Sequence, residues 1–175
     1  MISKKLLDLI LHKEDMLSRR WVEQIKKSSY MKSYQQHPDD ELIRRNKKFF
    51  EQLAHWINND VSREEIDSYF ETIGRQRYSE GFPLPEIIYG VFLAKKVFHD
   101  VLIEETVLDS AMEIYQVLEL ITMIYNFFDE GNFCITRGYL AEMYASIGKA
   151  GKFNDQELSK HFFPGSFKDD RVRFS

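Results

Sequence analysis

The chain has 175 residues, the length of a single domain, and its 43% apolar and 14% aromatic residues are too many for a disordered protein. The formal net charge of −4 gives no basic surface of the kind that nucleic-acid-binding proteins carry, so we expect no nucleic-acid partner. Cys134 is the only cysteine, which excludes an intrachain disulfide and a cysteine-based zinc site and favours a reduced, cytoplasmic protein.

Apolar residues recur at helical spacing through most of the chain. The first amphipathic pattern predicts a helix from about residue 3 to 28 rather than a signal peptide. A second predicted helix opens at Asp39 with acidic residues in its first turn, which favour the helix dipole, and it ends near Asn58. The third opens at Ser62 with a capping box, in which Glu65 stands three residues later.

A fourth helix is predicted from about Pro85, with a broad apolar face that indicates deep burial. A short polar connection near residues 104–109 leads to a fifth helical pattern over residues 114–128. Residues 129–132 indicate a kink or a break, after which the helical pattern resumes and ends at Gly148.

Beyond Gly151 the pattern thins to one short predicted helix, at about residues 154–161, and an irregular tail. No strand, hairpin or internal repeat is apparent, and the most apolar stretch, residues 117–128, is too short to span a bilayer. The sequence therefore predicts an all-α fold, a single domain of five or six helices in a bundle or globin-like arrangement. We place the helical domain at residues 1–150 and a short, partly irregular C-terminal extension at residues 151–175.

The segment 74–86 carries two arginines, two carboxylates and two prolines between two helical patterns. Gly81 suits the C′ position of the third helix, because glycine adopts a positive φ without steric cost. The prolines prevent that helix from continuing, and Pro85 suits the first position of the next one. We therefore predict a tight corner between the third and fourth helices, and we expect it to lock them together.

Four charged side chains belong to this corner: Arg75, Arg77, Glu80 and Glu86. In the interpretation that we favour, the arginines complement the end of the third helix and pair with the acids. In the alternative, one arginine binds an anionic ligand group or the carboxylate of a partner. Arg75 and Arg77 are two residues apart on a helix, so we expect one to point inward and the other outward.

A second cluster combines residues 127–129 (Phe-Phe-Asp) with residues 137–139 (Arg-Gly-Tyr). Asp129 and Arg137 are eight residues apart, about two helical turns, so a continuous helix is expected to carry both on one side. They would then flank a polar spot in an apolar groove, although we favour a purely structural polar network.

No set of residues typical of an enzyme is found, so we predict no catalytic residue and no metal site. The histidines form no His-Glu-x-x-His pair, and none of the eight glycines follows a strand as in a phosphate-binding loop. Cys134 is expected to be a small buried apolar residue rather than a nucleophile. The alternative is a haem sensor, since globins use one proximal histidine, and His99 on the apolar fourth helix is the best candidate ligand.

Three stretches together resemble a known family. Residues 73–77, followed by residues 80–86 and a helix, resemble the N-terminal domain of the RsbT co-antagonist proteins, the stressosome sensors of bacteria. Residues 41–50 are similar to the second helix of that domain, and residues 127–139 are similar to its late helix. The resemblance covers roughly residues 5–148.

The resemblance implies a helical sensor module, often globin-like and without haem, that passes a signal to a following output domain. Such proteins carry a C-terminal domain of the anti-sigma-antagonist type, whereas this sequence ends soon after the helical module. We therefore expect a free-standing sensor or a piece of a longer protein, and we assign no phosphorylation-dependent output to it.

Together these observations predict a non-enzymatic sensory or interaction module of bacterial signalling that needs no cofactor. We expect it to bind a small apolar or amphipathic ligand or a protein partner, and to form a homodimer. The predicted binding residues are Arg75, Arg77, Glu80 and Phe82 at the corner, with Tyr89, Arg137 and Tyr139 as neighbours.

Overall fold

Five α-helices make up the part of the chain that the computed structural model describes, which is residues 13–58, 60–105, 111–149 and 151. Their bounds are α1 (Glu14–Lys27), α2 (Asp39–Ile57), α3 (Arg63–Ser79), α4 (Leu84–Glu105) and α5 (Ala111–Lys149), with a 3-10 turn at Tyr34–Gln36 before α2. These residues contain no strand, so the predicted all-α single domain is confirmed. The predictions for residues 1–12, 106–110 and 152–175 lie outside the described residues.

The ends of the helices follow the local signals in the sequence. The capping box at the start of α3 is confirmed, because Ser62 Oγ accepts a hydrogen bond from Glu65 N at 3.2 Å and Glu65 Oε2 accepts one from Ser62 N at 2.8 Å. Acidic residues occupy the first turn of α2, as predicted, and that helix ends at Ile57.

The fifth helix is continuous, so the predicted kink or break at residues 129–132 is wrong. α5 runs for 39 residues, a length of about 58 Å at the usual helical rise. Asp129 and Glu130 lie on its outer surface and pair with Lys95 of α4 and Arg63 of α3. Gly131 is in the helix for a packing reason: a Cβ there would lie 2.7 Å from Phe70.

The core is built around an aromatic cluster that joins three helices. Phe49 of α2 lies 5.6 Å from Phe70 of α3, measured between ring centroids. The rings of Phe127 and Phe128 of α5 lie 5.6 and 5.3 Å from Phe49. Most of these pairs meet edge to face, the arrangement that aromatic quadrupoles prefer.

α3 packs mainly against α5 and makes little contact with α4. The predicted locking of the third helix against the fourth is therefore wrong. The backbones of α3 and α5 touch at Gly74 and Gly138. A Cβ on Gly74 would lie 2.7 Å from the backbone nitrogen of Tyr139, and one on Gly138 would lie 2.8 Å from the carbonyl carbon of Glu71. Two glycines facing each other's helix therefore allow α3 and α5 to approach more closely than side chains permit.

Candidate functional site

The corner at residues 74–86 ends α3 as the sequence predicts. Gly81 has a φ of 81°, and its N–H donates to Tyr78 O at 2.9 Å, while Phe82 N–H donates to Arg77 O at 3.0 Å. These two bonds form a Schellman motif and confirm Gly81 as the C′ residue. The next helix, α4, begins at Leu84, one residue before the predicted start at Pro85.

Phe82 anchors the corner in the protein interior. Its side chain is 2% exposed, and its ring centroid lies 4.6 Å from that of Tyr34 and 4.8 Å from that of His37, which stacks on it. Tyr139 of α5 donates its hydroxyl hydrogen to Phe82 O at 3.0 Å. The corner is therefore attached both to the segment before α2 and to α5.

An ion-pair network connects the corner to α2. Glu80 accepts hydrogen bonds from Arg77 at 2.6 Å and from Arg45 of α2 at 2.8 Å, and Arg45 also pairs with Glu41. Burial opposes ionisation of the Glu80 carboxyl, but the hydrogen bonds from the two arginines outweigh it and hold its pKa below the usual range. Glu80 therefore stays ionised and fixes both guanidinium groups.

The two arginines of the corner point in different directions, as predicted. The Arg77 side chain is 12% exposed, whereas that of Arg75 is 44% exposed and pairs with Glu142 of α5 at 3.6 Å. The prediction that the corner acids both pair with these arginines is wrong for Glu86. That carboxylate accepts hydrogen bonds from the backbone nitrogen and the hydroxyl of Ser33, because the first turn of α4 faces the segment before α2.

Tyr89 and Arg137 do not join the corner. Tyr89 packs edge to face against Tyr30, with 5.6 Å between ring centroids. Arg137 pairs with Glu71 of α3, and its guanidinium lies 5.5 Å from the centroid of the Phe133 ring. Of the seven predicted binding residues, the structure brings together four: Arg77, Glu80, Phe82 and Tyr139.

The predicted polar spot between Asp129 and Arg137 is also wrong. Asp129 pairs with Lys95 of α4 at 2.7 Å, whereas Arg137 pairs with Glu71 of α3. Eight residues of α-helix turn by two full turns plus about 80°, which is enough to aim the two side chains at different neighbouring helices.

A cationic groove between α2 and α3 was missed by the sequence analysis. It has a volume of about 440 Å³, and Arg77 and Glu80 of the corner form part of its wall. Arg44, Arg45 and Lys48 contribute the α2 side. The signal for it was the basic run at residues 44–48, in which Arg44 and Lys48, four residues apart, share a helix face.

A small cavity lies beside this groove and shares Arg45, Ile73 and Arg77 with it. Its volume is about 60 Å³, room for a few water molecules, and its other walls are mostly apolar. Asn46 also lines it; this side chain is 5% exposed, and its Oδ1 has no hydrogen-bond partner among the residues that the structure describes. A buried amide oxygen without a donor is a point where a water or a ligand donor would be stabilised.

The cysteine and histidine candidates have ordinary surroundings. Cys134 is 2% exposed, and burial, reinforced by the carboxylate of Asp67, raises the pKa of its thiol to about 12. His99 is half-buried with Nδ1 3.1 Å from the hydroxyl of Tyr125, and it lines neither the cavity nor the cationic groove. The haem alternative at His99 therefore stays a prediction, tested by the absorbance spectrum after haem is added.

Within residues 13–58, 60–105, 111–149 and 151, no group of three or more histidine, cysteine, aspartate or glutamate side chains is placed to hold a metal ion. No α-helix among these residues combines the length and the apolar character that crossing a membrane requires.

Comparison with known proteins identifies a family for this chain. The family described as "RsbT co-antagonist protein rsbRD N-terminal domain" matches residues 15–150, which include all of α2 to α5 and nearly all of α1. Neither the curated proteins nor the solved structures that were compared with the chain give a match. Because the matched region covers well over half of the 175 residues, this chain belongs to the family of the RsbT co-antagonist rsbRD N-terminal domain, a signalling domain of the stressosome type.

Proposed function

We propose that this chain is a non-enzymatic, cytoplasmic signalling module that acts by binding and whose protein partner is a second copy of itself. Membership of a family of signalling domains supports the general role. The single observation that supports a second copy as the partner is an exposed apolar face at the start of α5. The proposal includes no cofactor, no metal and no nucleic-acid partner.

The exposed apolar face consists of large side chains on the first turns of α5. Tyr115 is 73% exposed, Met112 67% and Leu118 54%. Ile114 is also exposed, and positions 114 and 115 are three to four residues from Leu118, on neighbouring parts of the helix surface. Monomeric proteins rarely expose such a contiguous apolar group, and its presence is typical of an interface.

A second copy of the same chain is the occupant that fits this face. A dimer with two-fold symmetry brings the same patch of both subunits together, so the patch must be self-complementary. Residues 111–118 contain a single charged side chain, Glu113. Two copies of this face can therefore meet without bringing a large excess of like charge together.

Leu118→Glu tests the proposal. We expect the wild-type chain to have the mass of a dimer by light scattering and this variant to have the mass of a monomer, because a carboxylate in the interface would be buried without a partner. Since Leu118 is 54% exposed on the single chain, the substitution itself should have little effect on the stability of the monomer.

Phe133→Glu is the matched control. Phe133 is 58% exposed on the same helix but lies 15 residues from Leu118, about 22 Å along the helix axis. We expect this variant to remain a dimer. A monomeric wild-type chain, or equal dissociation by both variants, would contradict the proposed interface.

A further inference from the structure

The groove between α2 and α3 concentrates positive charge in a chain that is acidic overall. The net charge of the chain is −4, yet the described residues of the groove wall include four cations and a single acid, Glu80. The cations are Arg44, Arg45, Lys48 and Arg77. Glu41 also pairs with Arg45, so four cations face two acids, and a concave surface with such an excess attracts anions.

Arg44 and Lys48 are the cations that remain available to a ligand. Both are exposed, and neither side chain has an ion-pair or hydrogen-bond partner among the described residues. Arg45 and Arg77, by contrast, are held by Glu80. Arg44 and Lys48 are four residues apart on α2, so their side chains lie next to each other on one face.

Uncharged donors line the same groove. The Tyr69 hydroxyl has no hydrogen-bond partner in the described part of the chain, and burial raises its pKa, so it remains protonated and able to donate. The amide of Gln76 contributes further donor hydrogens. Guanidinium, ammonium, hydroxyl and amide donors around one space suit a ligand with several oxyanion acceptors.

We propose that this groove binds a small organic polyanion, a phosphate ester or a polycarboxylate, whose oxygens accept hydrogen bonds from Arg44, Lys48 and Arg77. The volume of about 440 Å³ is within the range of small-molecule pockets. The anion competes with Glu80 for Arg77, and Glu80 is the C-cap residue of α3. Binding of the anion therefore alters the Glu80–Arg77 pair in the corner at residues 74–86, which adjoins the groove.

Isothermal titration of the full chain with pyrophosphate and with citrate, at matched ionic strength, tests the inference. We expect at least one probe to bind the wild-type chain. The double variant Arg44→Gln, Lys48→Gln should weaken that binding about tenfold or more, because it removes two charge-assisted contacts. Both positions are exposed, so the variant should fold normally.

The matched control is the double variant Lys27→Gln, Lys32→Gln, which removes the same charge from two exposed positions outside the groove. Its affinity should stay within about twofold of the wild type, since salt screens distant charges. Binding of pyrophosphate alone indicates a ligand that carries phosphate groups, binding of citrate alone indicates a polycarboxylate, and either result supports the inference.

Equal losses of affinity in the two double variants would show unspecific attraction and overturn the inference. The inference would also be overturned if neither probe, at about 10 mM, produced heat of binding or raised the melting temperature. The groove and the exposed apolar face share no residue, so this inference does not rest on the proposed dimer. If the groove binds no anion, the mass measured by light scattering is unaffected. Failure of this inference can therefore be distinguished from failure of the proposed function.

Discussion

Replacing Gly138 with alanine is expected to destabilise the chain by about 3 kcal/mol, although the same change in an exposed helix would stabilise it by about 1 kcal/mol. The reversed sign follows from the contact between α3 and α5. A Cβ at Gly138 would lie 2.8 Å from the carbonyl carbon of Glu71 and closer still to its oxygen. Both atoms are backbone, so the added methyl can be accommodated only if the helices separate.

Urea unfolding of Gly138→Ala measures this effect, with Gly90→Ala as the matched control. Gly90 is also buried in a helix, but a Cβ there would meet Met31 at 3.4 Å and Trp21 at 3.7 Å, which are ordinary contacts with side chains. We expect the control to be as stable as the wild type or more stable by up to about 1 kcal/mol. Equal stability of the two variants would contradict the close backbone contact.

Replacing Phe82 with alanine is expected to cost about 4 kcal/mol, the usual penalty for removing a fully buried phenylalanine. The ring is 2% exposed and packs against Tyr34 and His37, so its loss leaves a cavity where the corner meets the segment before α2. The neighbouring polar network cannot fill that space, because Arg77 is held by Glu80.

The free energy of unfolding from urea titration gives this value. Phe92→Ala is the matched control, because Phe92 is 49% exposed on α4 and its loss should cost less than about 1 kcal/mol. If Phe82→Ala is as stable as the control, Phe82 does not anchor the corner.

Where the chemistry is local, the sequence predicts the structure well. The capping box at Ser62 and the C′ glycine at Gly81 are recognisable because each motif is completed within a few residues. The opposite directions of Arg75 and Arg77 follow from helical geometry alone. These features required no knowledge of how the helices pack.

Features that depend on distant parts of the chain were not predictable in the same way. Gly131 resembled a helix break because the ring that packs against it, Phe70, is about sixty residues earlier in the sequence. The pair of Arg45 with Glu41, four residues away, is of the kind that helical spacing alone predicts. The second partner of Arg45, Glu80, is 35 residues away in the sequence. Neither this pair nor the cationic groove can be inferred until the packing of α2 beside α3 is known.

Hydrogen exchange of the wild-type chain at low and high protein concentration tests the central claim, that this module acts by binding a second copy of itself. The first amides of a helix lack intrahelical acceptors and exchange readily unless another surface covers them. We expect the protection of residues 111–118 to rise with protein concentration and the protection of the helix around Phe133 to stay the same. Exchange of residues 111–118 that is identical at both concentrations, or protection that rises elsewhere instead, would contradict it.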